Sequence, residues 1–286
     1  MTSLGPFVVL AGLVLTVLLL RAVVRACAAG MARALAPRAG RVGAHASVRA
    51  IATWGQRRAP GLFGLLHRRL RPAVFTGLPL TLMAVAALYL AALLGGLTEE
   101  VVEAEGMLRI DRAINAAFTP WRDARLVGVF LWITALGAGP ALVAVTITAT
   151  AFLWSSGRAA LILPLWVALA GAQATTWVGK YAIDRHRPDF IAAVSATSPS
   201  FPSGHATGAM AIYGFLAYAI ARDLRGRGQK FEVAYWTVVL IALIGFSRIF
   251  LSVHYASDVV GGFMVGAFWL LVAFAMAEWR RHMGKP

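Results

Sequence analysis

Long apolar segments alternate with short polar ones along most of the chain. A run of about twenty apolar residues is long enough to cross a bilayer as a helix. We predict seven such spans, at residues 4–20, 73–97, 126–154, 159–183, 204–221, 233–250 and 258–279. The cluster Gly137-Ala138-Gly139-Pro140 predicts a bend in the third span, because membrane helices tolerate such breaks. The pattern therefore predicts an all-α fold, a polytopic membrane helical bundle.

The composition supports a membrane protein and excludes several other classes. Of the 286 residues, 59% are hydrophobic and 14% are charged, and the mean hydropathy is +0.73, outside the usual range of a soluble domain. The net charge of +15 would also suit nucleic acid. In a membrane protein, however, basic residues reflect topology and contact with anionic lipids, so we expect no nucleic-acid partner. Cys27 is the single cysteine, which excludes an internal disulfide and a thiolate metal cluster.

The charges also predict an orientation and a division of the chain. Residues 21–71 contain eleven arginines and no acidic residue, so the positive-inside rule places this segment in the cytoplasm, against anionic lipids. Its residues 61–71 fit either an amphipathic surface helix or, as we favour, a topology signal. We predict an amino-terminal transmembrane helix at 1–20, an arginine-rich cytoplasmic segment at 21–72, a six-helix domain at 73–279 and a cytoplasmic tail at 280–286. The polar segments 184–203 and 247–258 then share the outer side.

Two cations stand at the outer end of the fourth span. Lys180 and Arg187 are seven residues apart, so on a helix both project to one side. Pro188 predicts that the helix ends near Arg187. Such a pair would hold a dianion, with the guanidinium binding in forked fashion. The alternatives are ordinary interfacial charge or an ion pair between Lys180 and Asp184.

The second polar cluster, Pro202-Ser203-Gly204-His205, directly precedes the fifth span. Ser203 is a good helix cap, and Gly204 lets a ligand approach the backbone where free amides bind anions. His205 has a side chain suited to proton transfer at such a site. Taken alone, the cluster would equally be a capped helix with an incidental histidine.

The third polar cluster, residues 247–258, brings together Arg248, His254 and Asp258 between two apolar spans. His254 and Asp258 are four residues apart, within hydrogen-bonding reach on a helix, and an aspartate there orients the imidazole. Arg248 and His254 meet only if the helix ends between them, which predicts a helix–turn–helix with its turn at residues 251–254. A structural polar network is the alternative for this cluster alone. Three clusters at one membrane face indicate a functional site instead.

Together the clusters read Lys-x6-Arg-Pro, Pro-Ser-Gly-His and Ser-Arg-x5-His-x3-Asp. This pattern resembles the three-part signature of the type 2 phosphatidic acid phosphatase superfamily, which also contains the vanadium haloperoxidases. Every signature position is present, from Lys180 to Asp258. The resemblance covers about residues 73–279 and implies a six-helix lipid phosphatase core of the membrane branch. The first span and the arginine-rich segment lie outside it.

The residues themselves indicate phosphoryl transfer without metal or cofactor, because the clusters offer no set of carboxylates to hold magnesium. His254 would attack phosphorus to form a phosphohistidine, with Asp258 holding the other ring nitrogen, and His205 would protonate the leaving oxygen and then activate water. The phosphate oxygens would be bound by Lys180, Arg187, Ser203, Gly204 and Arg248. These roles match those that the resemblance implies.

The resemblance also implies the substrate class. Family substrates include phosphatidic acid, phosphatidylglycerol phosphate, isoprenoid diphosphates and lipid A phosphates; we expect a broad lipid phosphatase, with undecaprenyl diphosphate the leading single candidate. One alternative is a phosphotransferase that moves phosphate to another lipid such as lipid A. Another is a non-catalytic phospholipid-binding transporter or scaffold. We expect an integral protein of the bacterial inner membrane whose site faces the periplasm or cell exterior.

Overall fold

The computed structural model describes residues 5–42, 54, 56–61, 64, 69, 75–103, 105–189 and 196–283. Helices account for the regular structure, and no strand occurs in these ranges. The all-α fold predicted from the sequence is therefore confirmed. The chain divides into two compact units, Met1–Leu82 and Met83–Pro286.

The first unit is built on one long helix, α1, Gly5–Val42. Its stretch Leu10–Met31 is apolar enough and long enough to cross a membrane. The helix continues well past residue 20, where the sequence pattern placed its end, because alanine and arginine, which are good helix formers, make up most of residues 21–36. The amphipathic helix considered at residues 61–71 lies largely outside the described residues.

The remaining helices form the second unit, apart from the start of α2. In chain order they are α2 Leu78–Glu103, α3 Glu105–Phe118, α4 Ala124–Ala135, α5 Gly139–Ser155, α6 Ile162–Ile183, α7 Gly204–Asp223, α8 Arg227–Phe250 and α9 Ala256–Met283. Short 3₁₀ turns at Thr119–Trp121 and Ala159–Leu161 precede α4 and α6. By length and composition α2, α8, α9 and Ala159–Ile183 each qualify as a membrane span. Helices α4 and α5 qualify only as a pair and lie at 44° to each other, so the bend predicted at the Gly137–Pro140 cluster is confirmed.

Helix α7 is the interior helix of this bundle. It packs against α5, α6, α8 and α9. Its buried face consists mostly of small residues, namely Ala206, Thr207, Gly208, Ala209, Ala211, Ile212, Phe215 and Ala219. Because its neighbours are protein and not lipid, α7 is less apolar than the other spans and is not among the segments that qualify by composition. Its first residues, Gly204 and His205, come from the second polar cluster.

Two glycines of α9 let that helix approach the start of α7. A side chain at Gly262 would place its Cβ 2.6 Å from the Ser203 carbonyl oxygen, and one at Gly266 would lie 2.5 Å from the Thr207 carbonyl oxygen. This is the close approach that small residues four apart allow between membrane helices. The contact fixes the amino end of α7 against the beginning of α9, and both elements carry polar residues of the predicted site.

Helix α3 is amphipathic and packs against the bundle through aromatic rings. Phe118, its last residue, meets Phe246 of α8 edge to face at 5.2 Å between ring centroids. Phe130 of α4 lies 4.3 Å from the ring of Phe250. Such pairs add stability beyond the area they bury. They hold α3 and α4 beside the end of α8, where the third polar cluster begins.

Candidate active site

The three polar clusters meet at one end of the second unit. The carboxyl end of α6, the amino end of α7 and the turn between α8 and α9 all lie there. The Ser203 amide donates to the Asp258 carbonyl at 2.9 Å, which joins the second cluster to the third. The charge of Lys180 acts on Arg187, Arg248 and Asp258, which joins the first cluster to the third. Residues far apart in sequence thus form one site.

Arg187 reaches the site by a different route from the one predicted. Helix α6 ends at Ile183, where Asp184 adopts a left-handed conformation with φ of 48°, so Arg187 is not on the helix at all. The argument from helical phase is therefore wrong. An irregular segment returns Arg187 instead: its Nη1 donates to the Val253 carbonyl at 2.6 Å, and its Nε donates to the Ser198 carbonyl at 2.7 Å.

Lys180 is buried on the last turn of α6 and its ammonium donates to the Pro199 carbonyl. That bond replaces the Lys180–Asp184 ion pair considered as an alternative. In the part of the chain that the structure describes, neither Lys180 nor Arg187 forms an ion pair with a carboxylate. Within that part, neither charge is therefore neutralised by a directly bonded acidic side chain.

Arg248 completes a set of three cations. It lies on the last turn of α8, is 7% exposed, and donates from Nη1 to the Thr134 hydroxyl at 2.7 Å. Its Nε, together with the hydroxyl of Ser203, is buried without a hydrogen-bond partner among the described residues. An unsatisfied buried polar atom costs about 1–3 kcal/mol, so natural proteins retain one mainly for a purpose. A bound oxyanion would satisfy both atoms.

His254 lies in the turn between α8 and α9. Helix α8 ends at Phe250 and α9 begins at Ala256, so the structure shows the predicted helix–turn–helix. Because the chain reverses there, the His254 amide lies 3.3 Å from the Arg248 carbonyl oxygen, to which it donates. Arg248 and His254 meet for the reason that the sequence suggested, namely the end of a helix between them.

The two ring nitrogens of His254 face different partners. Nδ1 lies 3.3 Å from Asp258 Oδ2, and Nε2 lies 3.2 Å from Nη1 of Arg187. These partners favour the tautomer in which Nδ1 carries the proton and Nε2 carries the lone pair. Burial lowers the pKa of His254 to about 3, although Asp258 partly opposes the shift. The imidazole is therefore neutral near pH 7, with its lone pair directed toward the cations.

His205 is the second residue of α7 and borders the same group of charges. It lies within electrostatic reach of Lys180, Arg187, Arg248 and His254. The α4–α5 bend makes room for it, because a Cβ at Gly137 would lie 3.3 Å from two carbons of His205 and 2.5 Å from Ile244. Gly204, directly before it, begins the helix and leaves the backbone accessible.

Three further residues belong to the site, and the sequence analysis did not find them. Arg185 lies between two buried carboxylates: its Nη1 is 2.5 Å from Asp258 Oδ1 and its Nη2 is 2.9 Å from Asp111 Oδ2. Ser200 donates its hydroxyl to the other oxygen of Asp258. A signal for Asp111 exists, because it falls on the inward stripe of α3 that Leu108 and Phe118 mark at helical spacing. Arg185 falls within the first cluster, but Ser200 carries no comparable signal.

Comparison with known proteins agrees with this geometry. The model of the PAP2 superfamily matches residues 161–282, a range that contains all three clusters. The phosphatidylglycerophosphatase B of Bacillus subtilis is 33% identical over 157 residues, which cover 54% of this chain and 77% of that protein. The chain belongs to the PAP2 superfamily. The resemblance inferred from the signature residues is therefore confirmed.

A solved structure and a mycobacterial relative support the assignment. A solved transmembrane PAP2-type phosphatidylglycerolphosphate phosphatase from Bacillus subtilis superimposes with a TM-score of 0.63 at 28% identity, covering 68% of this chain and 96% of that one. The decaprenylphosphoryl-5-phosphoribose phosphatase of Mycobacterium tuberculosis is 40% identical over 92 residues, which cover 31% of this chain and 45% of that protein. This PAP2 protein is thus an integral membrane enzyme of a lipid phosphatase family, as predicted.

Proposed function

We propose that this PAP2 protein removes phosphate from a membrane lipid phosphate or diphosphate by way of a phosphohistidine at His254. The observation that carries the proposal is the position of His254 Nε2, 3.2 Å from Nη1 of Arg187, at the place where Lys180, Arg187 and Arg248 come together. The two unpartnered atoms, Arg248 Nε and Ser203 Oγ, support it, because a phosphoryl group would satisfy both. Positive charge preorganised around the place where oxyanion charge develops is the main catalytic device in phosphoryl transfer.

The reaction has two steps, transfer of the phosphoryl group to His254 and its hydrolysis by water. First, His254 Nε2 forms a bond to phosphorus while the bond from phosphorus to the lipid oxygen breaks, and His205 supplies the proton that this oxygen takes up. Second, His205 accepts a proton from water as the water oxygen attacks phosphorus, and the P–N bond breaks to regenerate His254. Asp258 stabilises the positive ring between the two steps. The phosphoryl oxygens are bound by Lys180, Arg187, Arg248, Ser203 and the Gly204 amide.

A cavity of about 720 Å³ beside the cations suits a lipid headgroup. Its lining includes Arg187 and Tyr255 and, from α2 and α3, apolar Val101 and Leu108 together with the acidic Glu103 and Glu105. The relatives bear names of a glycerolipid phosphatase and of a decaprenyl-lipid phosphatase. We therefore propose a broad lipid phosphatase, with undecaprenyl diphosphate as the leading single substrate.

One experiment tests the reaction and its rivals. Purified protein in detergent is given a lipid phosphate labelled in its terminal phosphate and is quenched during turnover. We expect free labelled phosphate and an acid-labile label on His254. Label found on a second lipid would favour the phosphotransferase. Binding without turnover, equal in the parent and in His254→Ala, would favour the transporter or scaffold.

A panel of lipid phosphates in a single detergent would then define the substrate. We expect phosphatidic acid, phosphatidylglycerol phosphate and undecaprenyl diphosphate all to be hydrolysed, with the highest kcat/KM for undecaprenyl diphosphate. Hydrolysis of a single glycerolipid with no activity on any prenyl diphosphate would contradict the proposed breadth. A higher kcat/KM for any other member would contradict the leading candidate.

We propose further that the catalytic end faces the periplasm or cell exterior of a bacterial inner membrane. The opposite end carries the basic loop around Arg222 and the basic tail, which favour the cytoplasm. Cysteine labelling in intact cells, with Cys27 replaced by alanine, compares two exposed positions. We expect a membrane-impermeant maleimide to label Thr197→Cys and to spare Gly228→Cys. The reverse pattern would invert the orientation.

A further inference from the structure

Asp111 is a buried carboxylate on α3, and its hydrogen-bond partners, Arg185 and Ser257, are not among the residues proposed to bind phosphate. It is 1% exposed. Its Oδ1 accepts a hydrogen bond from the Ser257 amide at 3.0 Å, and its Oδ2 accepts from the Ser257 hydroxyl and from Arg185 at 2.9 Å. A buried carboxylate with so many donors is held in one position.

Arg185, which donates to Asp111, also donates to Asp258. Arg185 donates from Nη1 to Asp258 Oδ1 at 2.5 Å and to the Ser257 hydroxyl at 2.7 Å. Its guanidinium also lies 4.6 Å from the centre of the Tyr255 ring. Asp111 thus holds one edge of the planar Arg185 guanidinium, and the Tyr255 ring holds its face. The other edge of the guanidinium holds Asp258.

Asp258 in turn determines where the His254 ring points. Its Oδ2 accepts from the Tyr255 amide at 2.8 Å and lies 3.3 Å from His254 Nδ1. Because Asp258 lies three residues after Tyr255, at the start of α9, its carboxylate also closes the first turn of that helix. A rotation of this carboxylate would therefore move both the helix start and the imidazole.

We propose that Asp111 is a positioning residue: through Arg185 and Ser257 it holds Asp258, and thereby His254, in the geometry for attack on phosphorus. This inference rests on the proposed function. It assigns α3, which lies before the residues that the PAP2 model matches, a part in the reaction.

A second set of contacts from α3 supports the assignment. Asn115, one turn after Asp111, donates to the Ser252 hydroxyl at 3.0 Å, and that hydroxyl donates to the Asp189 carbonyl at 2.7 Å. Arg122 lies just after α3 and donates from Nε to the Phe250 carbonyl at 2.7 Å, which caps the end of α8. Asn115 and Arg122 thus hold the beginning of the turn that carries His254, and Asp111 holds its end through Ser257.

The test compares two inhibitors of the detergent-solubilised full chain. Orthovanadate becomes five-coordinate at a nucleophile and so mimics the transition state, which requires a correctly aimed His254; inorganic phosphate requires only the cations. For Asp111→Asn we expect kcat to fall by about 10–100-fold and the vanadate inhibition constant to rise by a similar factor, as small misplacements of reacting groups cost up to about 100-fold. The phosphate inhibition constant and KM should stay within about twofold, because the cations remain in place.

Asp123→Asn is the matched control. It makes the same change at a half-buried aspartate that caps α4 through the Arg125 and Leu126 amides and has no contact with Arg185. We expect its ratio of vanadate to phosphate inhibition constants to equal that of the parent. For Asp111→Asn, an unchanged ratio, or an equal loss of both affinities, would overturn the positioning role.

If Asp111→Asn does not yield folded protein, Ser257→Ala decides the question. It removes one donor to Asp111 and keeps the buried charge, so we expect a rise of a few-fold, about 3–10, in the same ratio. An unchanged ratio would again overturn the inference. The proposed function fails separately, namely if vanadate does not inhibit the parent or if His254→Ala hydrolyses lipid phosphate normally.

Discussion

The two ends of the helical bundle carry similar side chains in opposite electrostatic situations. At the catalytic end, Lys180, Arg187 and Arg248 are close together, and the described residues provide no carboxylate bonded to any of them. At the other end three basic residues are paired with acids. Arg158 pairs with Asp223, while Arg222 and Arg281 lie 3.9 Å and 3.4 Å from oxygens of Glu278.

The charged residues at the catalytic end are also more buried than those at the other end. Lys180 and Arg248 are 6% and 7% exposed, whereas the side chains of Arg158 and Asp223 are 35% and 46% exposed. An exposed ion pair contributes about 0–1 kcal/mol and needs no functional explanation. Buried cations that repel one another cost stability and are retained where an anion binds. The comparison teaches that pairing and burial, and not the number of arginines, distinguish the site from the basic surface.

We expect the largest difference in activity between variants of the histidines at the two ends, His254 and His282. Replacing His254 by alanine removes the nucleophile, so we expect phosphate release from a lipid phosphate to fall by about 10⁴-fold or more. His282, exposed near the end of α9, serves as the control, and His282→Ala should retain activity within about twofold. Initial rates in detergent measure both variants. Comparable rates for His254→Ala and the parent would remove His254 from the mechanism.

We expect the second largest difference, in kcat, between variants of the aspartates at the two ends, Asp258 and Asp223. Asp258→Asn keeps the shape of the side chain but no longer favours Nδ1–H toward it, so we expect kcat to fall by about 10²–10⁴-fold. Asp223→Asn breaks only the exposed pair with Arg158 and should leave kcat within about twofold. Steady-state kinetics on both variants measure the difference. Equal kcat values would show that Asp258 does not orient the imidazole.

We expect the third largest difference, in kcat/KM, between variants of the arginines at the two ends, Arg248 and Arg222. Arg248→Gln removes one of three charges from the developing oxyanion, so we expect kcat/KM to fall by about 10²–10³-fold. Arg222→Gln, which loses its contacts with Tyr218 and Glu278 at the other end, should change kcat/KM by no more than about threefold. A similar loss in both variants would indicate general destabilisation and would contradict the distinction between the two ends.

The smallest expected effect is that of chelation. Because the positive charge at the site comes from side chains, excess EDTA should change the rate of phosphate release by less than about twofold. The measurement is made on protein purified and assayed in chelator, with magnesium added back as the control. Complete loss of activity on chelation, with recovery on metal addition, would refute the metal-free mechanism.

Some features were predictable because they depend on local order along the chain. Apolar runs predicted the membrane helices, and Gly137 with Pro140 predicted the bend, since these are properties of a single segment. The turn before His254 was also predictable, because an arginine six residues earlier could meet it only across a helix end. The predicted helical continuation from Lys180 to Arg187 was wrong: α6 ends at Ile183, the bound of the predicted span, and Asp184 takes a left-handed conformation that no sequence signal indicated.

The partners of Asp258 were not predictable for a related reason. Asp111 and Asp258 are 147 positions apart in the chain, and a single arginine bridges them. Periodicity places Asp111 on the inward face of α3, but it does not say which helix that face meets. One sequence holds no information on pairing between distant segments, whereas tertiary packing brings those segments together.

By itself, the sequence determined that this is a helical membrane protein, and its signature residues identified a PAP2 lipid phosphatase. Both conclusions depend on composition and short spacings, which the chain carries in any conformation. Only the tertiary structure decided that Arg187 returns from an irregular segment, that Arg248 Nε and Ser203 Oγ are buried without partners among the described residues, and that Arg185 bridges Asp111 of α3 and Asp258. The physical reason is that burial and hydrogen bonding depend on which distant segments surround a side chain.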